Sequence, residues 1–129
     1  MTYDTDVRSA NTDETYDFIA SDKVEGTAVY NGEGERLGTI SKFMVGKRDG
    51  QVRFAVLSFG GLFGMGERHY PLPWNVLTYD TEQGGYLVNL DKDLLKNAPS
   101  YERDQEPVYD RDYGSQVYGY YGVTPAPFI

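Results

Sequence analysis

Between Val24 and Leu90 every apolar stretch is cut short by glycine or proline before it could complete a helix of useful length. That punctuation constrains the chain more than any other feature. It leaves room for short strands joined by tight turns and almost none for amphipathic helices. The first two runs are Gly26–Tyr30 and Arg36–Val45, joined across Asn31-Gly32-Glu33-Gly34, where Asn-Gly is a strong hairpin signal because both residues tolerate positive φ. An Asp49-Gly50 turn leads into Gln51–Phe59, which is apolar on both faces towards its end, as a central strand requires. "ERHYPL" can form a fourth strand, confined by Pro71 to an edge or to a position whose N–H points away from the ladder. "NVLTYD" and "GGYLVNL" make a last hairpin. The spacing predicts an all-β fold: a small antiparallel six-stranded barrel.

One short helix is predicted after the last strand, in "DKDLLKNAPSY". Asp91 is placed to cap it, Asp93 lies in its first turn, and Pro99 ends it. Leu94, Leu95 and Ala98 are expected to face the barrel as a lid.

The formal charge of −8 divides the chain in three. Residues 1–22 carry six acids and one base, residues 100–129 five acids and two bases, and residues 23–99 nine of each. This gives an acidic N-terminal arm, a neutral barrel and an acidic C-terminal tail. The acidity opposes nucleic-acid binding through phosphate contacts. The tail has six tyrosines and no leucine. Its composition leans towards disorder, yet "VYGYYGV" is suited to dock as a strand or lie across an apolar surface. The chain has no cysteine, which removes disulfides and thiolate chemistry. The opening residues lack a basic and an apolar region of the signal-peptide kind, and no apolar run reaches the roughly 20 residues of a membrane span. A soluble, cytoplasmic protein without direct membrane insertion is expected.

The strongest claim to chemistry belongs to "GGLFGMGERHYPLPW", residues 60–74. It fails as a phosphate loop, because Glu67 and Arg68 stand where lysine and a hydroxyl residue belong. It fails as a dinucleotide fingerprint, because His69 replaces the third glycine. His69 is the only histidine, too few for a transition-metal site. A small-ligand or enzymatic role around His69, Glu67 and Tyr70 stays open, beside a structural role for the histidine. No catalytic residue, metal ligand or cofactor site is assigned. Gly60, Gly61, Gly64 and Gly66 read as a structural corner, with Pro73 and Trp74 fixing the chain beyond it. Leu62, Phe63 and Met65 project from that corner, either to close the core or as an adaptable contact patch. Together with Tyr118, Tyr120 and Tyr121 they form the expected interaction surface.

The motifs "VEGTAVYNGEGERLGTISKFMV", "GQVRFAVLSFGGLFGMGERHYPLPWNVL" and "GYLVNLDKDLLKNAP" resemble the PRC-barrel domain over about residues 20–100. The resemblance rests on Gly26 and Val29, Leu37-Gly38-Thr39-Ile40, the Gly60-Gly61 pair, Pro73-Trp74 and the Asp91–Pro99 helix. It implies a small β-barrel shared with the cytoplasmic domain of the photosynthetic reaction-centre H subunit and with a ribosome maturation factor. It further implies an adaptor, with no enzyme activity and no required cofactor. The reading is a non-enzymatic protein-interaction module with an unknown protein partner and a tendency to homo-oligomerise. A peripheral reaction-centre-like component is the alternative.

Overall fold

A computed structural model of the chain describes residues 18–60 and 67–124. After a single helical turn, α1 (Ser21–Val24), the strands follow as β1 (Ala28–Tyr30), β2 (Arg36–Val45), β3 (Val52–Phe59), β4 (Arg68–Pro73), β5 (Leu77–Asp80) and β6 (Gly85–Val88). They form one six-stranded sheet in the order β4-β3-β2-β1-β6-β5. The six expected strands are present. One junction differs in direction from the expected antiparallel barrel: β1 and β6 run parallel, Val29 beside Tyr86, while the other pairings are antiparallel. The parallel junction joins the early hairpin to the late one.

The turn between β1 and β2 is organised by the buried Asn31. Its Oδ1 accepts from the backbone amides of Glu33 and Glu35 at 3.0 and 2.9 Å, and its Nδ2 donates to Glu35 Oε1 at 2.8 Å. An asparagine side chain that mimics a backbone turn explains its burial in so polar a sequence. β2 carries two register irregularities, between Ile40 and Lys42 and between Met44 and Val45, that bend it. At Gly38 a Cβ would lie 2.3 Å from Ser58 O and 2.8 Å from Phe59 Cβ, so the approach of β2 to β3 depends on the missing side chain.

The curl of the sheet encloses a core built on Val29, Leu37, Ile40, Leu57, Leu72 and Val88. Helix α2 (Lys92–Lys96) closes it with Leu95, which is 0% exposed. Asp91 caps α2 as expected, accepting from Leu94 N at 2.7 Å. Leu94 is a correction: it is 38% exposed, because Leu95 alone of the pair lies on the inner face of so short a helix.

The tail is the larger departure. The segment expected to dock as a strand or to lie across an apolar surface does lie across one, as a helix, α3 (Arg111–Tyr120), capped by Asp110, whose side chain accepts from Tyr113 N at 2.9 Å. Its buried residues, Gly114, Val117 and Tyr118, follow helical spacing. It ends at Gly122, whose φ of 71° is the left-handed conformation glycine adopts readily. Val123 N bonds Tyr118 O at 3.0 Å and Gly122 N bonds Gly119 O at 3.1 Å, the paired bonds of a Schellman stop. The helix covers the outer face of β3, where Phe54, Val117 and Tyr118 form a second buried cluster. β3 is therefore enclosed on both faces, Ala55 and Leu57 inward and Phe54 outward, which is why its sequence is nearly continuous in apolar residues.

Candidate functional site

Two places gather polar side chains around β3 and β4. At the first, the hairpin between β2 and β3 stands beside the stretch that leads into α3. The strands hold Met44 and Phe54 in place, and the tail lays Tyr109 against Phe54 edge-on, ring centroids 5.3 Å apart. The result is a groove of about 390 Å³ with these three residues among its apolar lining. Lys47, Arg48, Arg53 and Arg111 supply its cations, and Asp49 and Asp110 its carboxylates.

Those two carboxylates are occupied internally. Asp49 accepts from Gln51 N at 3.0 Å and pairs with Arg53. The Gln51 amide, helped by Arg53, keeps its carboxyl below the usual aspartate range. Asp110 is the cap of α3. Lys47 and Arg48 are exposed on the hairpin. An otherwise acidic molecule thus presents a groove with a cationic rim.

The second place is the edge strand β4. Residues 100–105 run along it as a strap: His69 N donates to Tyr101 O at 2.9 Å, and Tyr101 N donates to His69 O at 3.0 Å. The His69 and Tyr101 rings stack, 5.7 Å apart and 11° from parallel. Arg68 Nε reaches Ser100 Oγ at 2.8 Å. Arg103 reaches Glu67 at 3.1 Å, and Ser58 donates its hydroxyl to the same carboxylate. The strap covers backbone donors and acceptors that an edge strand would otherwise leave open.

His69 is 7% exposed, and its Nε2 is buried 3.7 Å from Glu67 Oε2 with no hydrogen-bond partner among the described residues. Burial pushes its pKa down, opposed by the Glu67 charge. The Ser58 hydroxyl first, then Arg103 and His69, hold Glu67 below the ordinary glutamate range. Of the trio suggested by sequence, only Glu67 and His69 meet. Tyr70 points to the other face of β4, buried in the core and stacked on Phe59 at 4.7 Å. Alternation along a strand separates neighbours in this way. Its carboxylate is tied to Ser58 and Arg103 and its histidine is roofed by Tyr101, so the pair links the strap to β4.

The glycine-rich segment connects β3 to β4. Phe59 pairs with Arg68, and a Cβ on Gly60 would lie 2.8 Å from Glu67 Cα, so the ends of the connection are pressed together. Gly61, Leu62, Phe63, Gly64, Met65 and Gly66 lie outside the described residues. Pro73 ends β4 and is buried. Trp74 lies half-buried beside the core, edge-on to Phe43 at 5.8 Å and tilted against Tyr86 at 5.6 Å.

Of the three tail tyrosines expected on an outer surface, Tyr118 is a correction. It is 2% exposed, lies edge-on to Phe54 at 5.4 Å, and donates its hydroxyl to Arg53 O at 2.7 Å. Helical spacing turns it inward beside Val117. Tyr120 and Tyr121 are half-buried, edge-on to each other at 5.1 Å, and Tyr120 donates to Leu94 O. The groove escaped the sequence reading because its walls are far apart in the chain; the Lys47-Arg48 pair on a hairpin was its one visible sign.

A family model for the PRC-barrel domain matches residues 17–95. An uncharacterized protein of Deinococcus radiodurans is 29% identical over 80 residues, which is 62% of this chain and 28% of that protein. The chain thus spans less than a third of the length of the relative it matches. Neither match favours the reaction-centre alternative. Among the described residues no helix is long and apolar enough to cross a membrane.

Proposed function

We propose, for a chain that belongs to the PRC-barrel domain family, a role as a non-enzymatic protein-interaction module that engages its partner through the groove between the β2–β3 hairpin and the tail. The observation that carries the reading is the composition of that groove. Its apolar lining is assembled jointly by the barrel and the tail, and its rim is charged. An apolar centre with a polar margin is the anatomy of a protein contact. The polar residues around β3 and β4 support the same reading, since Asp49, Asp110 and Glu67 are each committed to holding the fold together.

A photo-crosslinking residue at Val45, an exposed position on the groove, tests the reading in the native cells. Discrete protein adducts are expected there and not from the same residue at Glu82, in the turn between β5 and β6. An adduct at twice the chain mass would make the partner a second copy, the homo-oligomer expected from sequence. Absence of adducts at Val45, or equal adducts at both positions, refutes the role.

A further inference from the structure

We infer that the groove takes an extended acidic segment of another protein, with an apolar side chain of that segment seated against Met44, Phe54 and Tyr109. This rests on the interaction-module reading and adds the chemistry of the partner. The chain carries −8 overall, yet the groove lining holds four cations against two carboxylates, with Arg53 paired to Asp49. Both carboxylates are satisfied by internal donors, whereas Lys47 and Arg48 stand exposed on the rim. A surface whose sign opposes that of its own molecule attracts ligands that the rest of the molecule repels.

The apolar lining decides between acidic ligands. A nucleic-acid backbone calls for a run of cations to contact successive phosphates, and the remainder of this chain would repel it. Met44, Phe54 and Tyr109 instead offer a seat for a hydrophobic side chain, flanked by cations for the carboxylates on either side of it. At about 390 Å³ the groove holds a few side chains of one segment rather than a folded domain. In such a complex the apolar contact supplies affinity, while the rim selects sign and speeds encounter.

The probe is a short fluorescent peptide of alternating aspartate and glutamate around a single phenylalanine, titrated by anisotropy against the full chain. It is expected to bind, and to lose affinity when its phenylalanine is replaced by serine or its acids by lysines. The double variant Lys47→Glu with Arg48→Glu should weaken binding by about tenfold, since each exposed ion pair contributes little alone. Its melting temperature should match the parent, because both side chains are exposed. Rising salt should weaken the parent complex and instead strengthen that of the double variant, whose reversed charges repel the acidic peptide until they are screened.

Equal binding of the acidic and lysine peptides overturns the inference, as does indifference to the double variant. Stronger competition from a peptide of the chain's own residues 1–17 would assign the groove to its own acidic arm, and tighter binding of an oligonucleotide would assign it to phosphates. Either result overturns the proposal. If the probe fails while crosslinks at Val45 persist, the acidic chemistry is wrong and the interaction role stands. If both fail, both fall.

Discussion

Replace Tyr118 by phenylalanine and, separately, by alanine. The first change removes one hydroxyl and leaves Arg53 O without its 2.7 Å donor. A hydrogen bond of this kind is worth about 1 kcal/mol net. The second also removes a ring that is 2% exposed and lies edge-on to Phe54. Truncating a buried aromatic costs about 3–5 kcal/mol. For a domain of this size the melting temperature moves by about 4 °C per kcal/mol. The phenylalanine variant should therefore melt about 4 °C below the parent, and the alanine variant more than about 10 °C below it. Thermal and urea unfolding followed by circular dichroism would read both, with the ratio between the variants separating ring from hydroxyl. If both melt with the parent, α3 does not hold to β3, and the groove loses the wall that Tyr109 provides.

Two further tests follow from the same geometry. Gly38→Ala forces a methyl against Ser58 O and Phe59 Cβ, neither of which is the tip of a flexible side chain, and should destabilise by about 1–3 kcal/mol or more. Gly119→Ala meets open space on α3 and should instead stabilise by about 0.5–1 kcal/mol; the two shifts having the same sign in urea titrations would contradict the packing described. At high pH the tyrosines report the tail. Burial, chiefly, pushes Tyr113 up to about 12 and raises Tyr109 and Tyr121 as well. The protonated forms are favoured by folding, so their contribution is complete below the unfolded value of about 10 and is lost as pH rises towards about 12. Tyrosinate absorbance should show a late fraction released together with the helical signal; a single smooth titration of all twelve tyrosines near 10, with the fold intact, would refute this.

The strands were legible because glycine and proline divide the chain at the places where the sheet turns. β3 was legible as a doubly buried strand because its apolar residues do not alternate with polar ones. Asp91 announced α2 through its carboxylate. The tail was not legible by composition, because tyrosine and glycine are weak helix formers and α3 gains its stability from packing Val117 and Tyr118 on Phe54. Its ends were nonetheless written in the chain, in Asp110 as a cap and Gly122 as a stop. The separation of Tyr70 from His69 follows from strand alternation alone. The groove was beyond reach because it depends on which surface the tail covers, and local sequence does not encode that.

The parallel pairing of Val29 with Tyr86 has a consequence for how the protein is made. During synthesis the first hairpin emerges well before its late neighbour, leaving one side of β1 as an open template until the final strand is available. Distant pairings of this kind slow folding relative to local ones. The nascent chain must guard that open margin until residue 88 has left the ribosome, and the helical tail can settle only afterwards.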